Sequence, residues 1–290
     1  MAQTDTHLPG PFSIPAAWRG PELFERDDWQ FELGAEEIRE LESTADGKKE
    51  FERSVEALQK ADFAWPRLQS LLSEIQYNLE NGSGVCMIRG LPIGRFSEQA
   101  LRRMFWGMAV HVGTPVSQSA RGDRIFSVRD EGWKQGQPQA RGPNTRKGLS
   151  FHTDRCDVIG FLCLRQALSG GDNQLVSSVT LFNEMRERWP ESTRVLMESF
   201  WYQRHNVDTA NPLPYCQQPV FSYHHGFFAA SYLRVLIDRA HAMSDVPDLS
   251  PAQLEALQRL EELAASPELH VTLRQEPGDL MFLNNWVTFH

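Results

Sequence analysis

The chain has few cysteines and no long apolar run, and each scarcity removes a class of protein. Four cysteines in 290 residues, Cys86, Cys156, Cys163 and Cys216, are too few and too scattered to brace a fold of this length with disulfides. None belongs to a C-x-x-C pair, so the thiols offer neither a zinc ribbon nor a dithiol redox centre. No run of about 18 apolar residues occurs, and a membrane-spanning helix is not expected. The N-terminus lacks a basic segment followed by an apolar one, so no export signal is read there and a reducing cytoplasm is the expected location. Positive charge is in deficit as well. Lys and Arg number 29 against 38 Asp and Glu, a formal net charge of −9, so no nucleic-acid partner held through its phosphates is expected. The dinucleotide fingerprint G-x-G-x-x-G, the phosphate loop G-x-x-x-x-G-K-[ST] and the nucleophile elbow G-x-S-x-G are all missing.

What remains is a globular composition, 41% hydrophobic and 23% charged. Pro9, Gly10, Pro11, Pro15 and Pro21 make residues 1–21 an irregular arm, laid over the body through Trp18, and residues 22–290 read as a single domain. A short helix is expected at 35–41. Leu68, Leu71, Leu72, Ile75 and Leu79 trace one face of another, closed by Asn81 and Gly82. The run Gly-Val-Cys-Met-Ile-Arg-Gly at 84–90 reads as a buried strand, after which Ser97 caps a helix whose packing face is Leu101, Met104, Phe105 and Met108.

Residues 117–150 are rich in Gly, Gln, Arg and Asn with little periodicity, which suits a lid or site-forming loop. That loop is locally basic, with Arg121, Arg124, Arg129, Lys134, Arg141, Arg146 and Lys147. Arg129, beside a short segment at 125–128, is the candidate contact for an anionic substrate group. From Phe151 onward the chain breaks into short apolar segments at 158–164, 175–179, 220–223, 271–273 and 280–283, separated by turn signals. The expected class is α+β with a mainly β core, a sandwich or barrel buttressed by helices. Thr180 is read as one helix cap, and Ser250, with Pro251 and Gln253, as a capping box. His224 and His225 would send their rings in opposite directions on an extended strand, so together they make no metal clamp.

The most informative triplet is His152-Thr153-Asp154. On an extended segment alternate residues share a side, so imidazole and carboxylate face one ion. A second imidazole from another strand would complete the facial triad that holds non-haem Fe(II) with open positions. The segment Gly-Asp-Leu at 278–280, running through Leu-Asn-Asn-Trp at 283–286, brings His290 to the end of a strand.

These residues, with the Gly-Gly-Asp-Asn segment at 170–173 and the front strand at 84–92, resemble the TauD/TfdA family of Fe(II)- and 2-oxoglutarate-dependent dioxygenases in order and spacing. The resemblance implies a double-stranded β-helix, the jelly roll of clavaminate synthase-like enzymes, with helices on one side. It implies His152, Asp154 and His290 as iron ligands, with 2-oxoglutarate and O₂ as cosubstrates. Asn173 falls where the family places a side chain near 2-oxoglutarate, commonly threonine. The implied reaction hydroxylates an unactivated C–H bond of a small organic substrate, anionic or amino-acid-like, releasing succinate and CO₂. Arg129 and Asn284 are the candidate substrate contacts. The alternative is a non-catalytic metal- or small-molecule-binding homologue, and association into homo-oligomers stays open. The family sets an arginine on the distal carboxylate of 2-oxoglutarate roughly a dozen residues past the second histidine. No residue here answers to it, and the domain is expected to continue beyond His290.

Overall fold

The computed structural model describes residues 8–45, 53–119, 122–132, 148–204 and 211–290. The first half gives α1 (Gly20–Phe24), β1 (Gln30–Glu32), α2 (Ala35–Ala45), α3 (Pro66–Asn81), β2 (Val85–Arg89) and α4 (Glu98–Val112). The second half gives β3 (Val158–Leu162), β4 (Asn173–Ser177), α5 (Ser178–Arg188), α6 (Pro190–Met197), β5 (Ser199–Gln203), β6 (Tyr215–Pro219), β7 (Phe221–His224) and β8 (Phe227–Ala230). The chain closes with α7 (Arg234–His241), α8 (Pro251–Ala264), β9 (His270–Leu273), β10 (Leu280–Asn284) and β11 (Thr288–Phe289).

Two sheets organise this mixed α/β fold. One has the order β1-β2-β10-β3 and the other β11-β4-β9. In the first, Met281 of β10 lies opposite Met87 of β2 on one edge and opposite Phe161 of β3 on the other. β2 and β10 read as continuous apolar runs, Val-Cys-Met-Ile and Leu-Met-Phe-Leu, because both faces of this sheet are covered.

The period of two sorts their side chains cleanly. Cys86, Ile88, Leu280 and Phe282 pack with Leu72 and Ile75 of α3 and with Met104 and Met108 of α4. Val85, Met87, Met281 and Leu283 face the other way and meet Leu175, Val271 and Leu273 of the second sheet. The back of that second sheet, through Val176 and Phe289, packs on α5 to α8. The layers therefore run helices, sheet, sheet, helices. Each fully buried Leu or Phe is worth about 1.5–3 kcal/mol in this stack.

Ser97 and Ser250 cap their helices as the sequence suggests, accepting from the amides of Ala100 and Gln253. Thr180 does not. β4 runs straight into α5, so Ser177, the last strand residue, caps it by accepting from the Thr180 amide at 3.0 Å, while the Thr180 hydroxyl donates to the Trp18 carbonyl. Trp18 is buried and its indole donates to Ser83 O, which holds the irregular N-terminal segment against the body. His224 and His225 are not extended neighbours. His225 (φ 50°) and Gly226 (φ 89°) form the two-residue turn of the β7–β8 hairpin, with the two imidazole rings 4.0 Å apart. Residues 125–128 form no strand. Among the described residues no helix is long and apolar enough to cross a membrane.

Candidate metal centre

β11 carries the last histidine to its place. Thr288 and Phe289 pair with Ser177 and Val176 of β4, and on the opposite side His290 exchanges both backbone hydrogen bonds with His152, each 3.0 Å. Two residues that exchange both bonds form the hydrogen-bonded pair of an antiparallel ladder, so the two histidines are held opposite each other by backbone alone. Alternation along β11 then turns Phe289 into the core, stacked on Tyr232 at 5.7 Å, and His290 to the other face.

The His-Thr-Asp triplet, expected on an extended strand, is not in a regular one. It occupies an irregular segment that bends at 155–157, pinned at single points. The alternation survives because Thr153 is buried on the opposite side. Its amide donates to the Tyr232 carbonyl at 2.7 Å, and its hydroxyl accepts from the Tyr232 amide at 3.0 Å.

On the open side, one ligand atom from each of His152, Asp154 and His290 lies within 4.8 Å of the others. Nε2 of His290 is 3.7 Å from Oδ2 of Asp154, and the two imidazole centroids are 4.5 Å apart. Nδ1 of His152 donates to the Ser150 carbonyl at 2.9 Å, which fixes the tautomer and leaves Nε2 with its lone pair outward. Burial, and next the neighbouring His290, push the His152 pKa below its ordinary 6.5, so the ring is neutral at pH 7, the form a metal ligand needs. Nδ1 of His290 is buried with no hydrogen-bond partner among the described residues. Two imidazoles and a carboxylate that converge in a partly desolvated corner are a donor set able to hold a cation. A nitrogen–nitrogen–oxygen set with open positions suits a divalent transition metal such as Fe(II).

Asp154 is positioned by a residue that the sequence does not single out from its neighbour Asn284. Asn285 is 1% exposed, and its Oδ1 accepts from the Asp154 amide at 3.1 Å. Its Nδ2 donates to the Cys156 sulfur and its own amide to the Asp157 carbonyl, so one side chain and one peptide stitch together residues 154–157. Asn284, the neighbour that the sequence reading favoured, spends its side chain elsewhere. Its Nδ2 donates to the Leu79 carbonyl and its Oδ1 accepts from the Trp286 amide, both at 2.9 Å. Two adjacent asparagines after a strand gave no signal as to which would face the triplet. Asn285→Ala should leave the Asp154 amide without its acceptor, costing about 1–3 kcal/mol of stability. A metal titration of the folded variant should show affinity down about 10–100-fold, the usual cost of losing an outer support.

The other expected contacts are more scattered. Asn173 opens β4 on the face shared with Leu175, and its Nδ2 donates to Gln275 Oε1 at 3.2 Å. Arg129 has a 73% exposed side chain and faces Glu131 at 3.8 Å. Arg121, Lys134, Arg141, Arg146 and Lys147 lie outside the described residues. Behind the ligand segments, on the Phe151 and Phe289 side, is a cavity of about 430 Å³ bordered by Tyr232, Glu261 and His270, which none of the three ligand side chains lines.

Several known proteins are similar to this chain. FR-33289 synthase of Streptomyces rubellomurinus (strain ATCC 31215) is 27% identical over 285 residues, 98% of this chain and 84% of that protein. The structure of an asparagine oxygenase with Fe(II), a hydroxyasparagine and succinate superposes with a TM-score of 0.64 at 18% identity, covering 90% of this chain and 86% of that one. The non-haem iron oxygenase OrfP with Fe and alpha-ketoglutaric acid gives 0.59 at 15% identity, covering 90% and 87%. These two show a shared fold. The sequence pattern of the taurine catabolism dioxygenase TauD, TfdA family matches residues 48–290, and the chain belongs to that family.

Proposed function

We propose that this protein is an Fe(II)- and 2-oxoglutarate-dependent oxygenase that hydroxylates an unactivated C–H bond of a small organic molecule, with His152, Asp154 and His290 holding the iron. The observation that carries this reading is the convergence of three ligand atoms within 4.8 Å from segments 136 residues apart, residues 154 and 290. In this reading the two facing sheets are the halves of a double-stranded β-helix, residues 22–290 form one domain, and residues 1–21 form its arm. The bound iron would activate O₂, the oxidant, with 2-oxoglutarate as the two-electron co-reductant that leaves as succinate and CO₂.

The chain's own residues prepare that chemistry. The Ser150 carbonyl holds His152 in the ligating tautomer, Tyr232 holds Thr153 inward, and Asn285 fixes the Asp154 backbone. Phe161, with its ring 5.9 Å from that of His290, puts an apolar wall beside the centre and limits water there. Asn173 faces the same inter-sheet space. Its Nδ2 donates one hydrogen to Gln275 and has a second available for a carboxylate oxygen of 2-oxoglutarate. The substrate class follows the neighbours whose complexes hold hydroxylated asparagine and arginine, a small amino-acid-like molecule.

Anaerobic addition of Fe(II) and then 2-oxoglutarate should produce a visible charge-transfer absorption. Under air, a library of small metabolites should contain compounds that stimulate succinate formation. No absorption, together with no stimulated succinate, would overturn the assignment.

A further inference from the structure

We propose that Gln275 is a positioning residue for the cosubstrate. It fixes which end of the Asn173 carboxamide faces the space between the sheets, and so lets the site distinguish a 2-oxo diacid from a 2-oxo monoacid. The inference rests on the function proposed above and adds to it a residue whose contact with Asn173 only the fold reveals.

The register of β4 sets the distance from the metal centre. Thr288 and Phe289 lie opposite Ser177 and Val176, so one step further along the same register His290 comes opposite Leu175. Asn173 is two residues beyond Leu175 on the same face, about 7 Å along the strand. A five-carbon diacid held at the metal by its 2-oxo end is long enough to bring its far carboxylate to that point. On the neighbouring β9, Val271 and Leu273 share this inner face, and Gln275 follows two residues later, buried.

The hydrogen bonds there run in one direction. They begin at the Asp279 carbonyl, which can only accept, and which takes the Cys163 amide at 2.9 Å and Gln275 Nε2 at 3.4 Å. With Nε2 turned to that carbonyl, Gln275 presents Oε1 to its other neighbour, so Asn173 must answer with Nδ2, at 3.2 Å. The second hydrogen on Nδ2 is then left for a carboxylate oxygen, and the carboxamide is not free to turn Oδ1 toward it. Gln275 is itself anchored. Its own carbonyl accepts from Gln166 Nε2 at 2.9 Å and from the Cys163 thiol at 3.7 Å. These bonds join the end of β3, the turn before β10 and the first residue of β4, so the two sheets are tied together where the diacid would end.

A neutral carboxamide held as a donor favours a carboxylate over a methyl group at that point. A Gln275 that only tied the sheets together would treat the two ends alike.

The test is anaerobic titration of the full chain, loaded with Fe(II), with 2-oxoglutarate and with 2-oxopentanoate. The second acid has the same carbon chain but ends in a methyl group, and the readout is the dissociation constant from the charge-transfer absorption. Gln275→Met keeps the volume and removes both side-chain bonds. It should weaken 2-oxoglutarate about ten-fold, the worth of one hydrogen bond to a charged group, and leave 2-oxopentanoate within about two-fold. Gln275→Glu keeps the shape but, ionised, has no hydrogen for the Asp279 carbonyl, and it should lose at least as much. Asn173→Ala should show the same selective loss, and the double variant with Gln275→Met no further loss, because Gln275 acts through Asn173. Unchanged 2-oxoglutarate affinity in the Gln275 variants, equal weakening of both acids, or additive losses in the double variant would overturn the proposal. No absorption from the wild type with either acid would overturn the function proposed for the metal centre and this inference with it.

Discussion

Asp154→Ala is expected to abolish 2-oxoglutarate turnover, by about 10³-fold or more, while leaving the fold essentially intact. The carboxylate is the one anionic donor of the three, and without it two neutral imidazoles face the metal. Removal of an outer support costs about 10–100-fold in metal affinity, and removal of a direct ligand should exceed that. The stability effect runs differently because the Asp154 side chain is 42% exposed, and its backbone amide keeps its bond to Asn285 whatever the side chain. Surface substitutions of this kind stay within about 0.5 kcal/mol. The denaturation midpoint of the metal-free variant should therefore match wild type while Fe(II) titration and succinate formation collapse. A variant that still forms succinate at wild-type rates would remove Asp154 from the centre.

The contrast between Asp154 and its supports shows what a sequence can and cannot convey. The triplet at 152–154 is legible because two ligands lie two residues apart and the geometry of an extended chain joins them. The place of His290 was tied to it only by family resemblance, since no local rule says that the residue after β11 pairs with residue 152 across the chain. β2 and β10 are legible because burial on both faces forces runs of apolar residues. β5 and β6 are not, because Ser-Phe-Trp-Tyr-Gln and Tyr-Cys-Gln-Gln-Pro form a two-stranded ribbon with mostly part-buried positions and no clear alternation. The cap of α5 was misplaced for a related reason. A loop is the usual signal of a helix start, and β4 passes into α5 without one.

Phe282→Ala should produce the largest loss of stability, about 3–5 kcal/mol, the range for truncating a buried aromatic. β10 is hydrogen-bonded on both edges, to β2 and β3, so it cannot shift to close a void. The Phe282 ring lies over Gly160 of β3, where a Cβ would come within 2.7 Å of it, and stacks on Phe105 of α4 at 6.4 Å. The ring thus occupies space that the glycine leaves open, and alanine would leave a cavity between the sheet and α4 that a rigid backbone cannot collapse. Because Phe282 faces the helices while Met281 and Leu283 face the second sheet, the metal centre should not share the loss. Urea denaturation of the full chain should show the midpoint moved strongly downward with little change in slope, and Fe(II) affinity of the folded variant should stay within about two-fold of wild type. If affinity falls in step with stability, the two faces of β10 are mechanically coupled, and the separation of the helix-side core from the ligand-bearing layer fails.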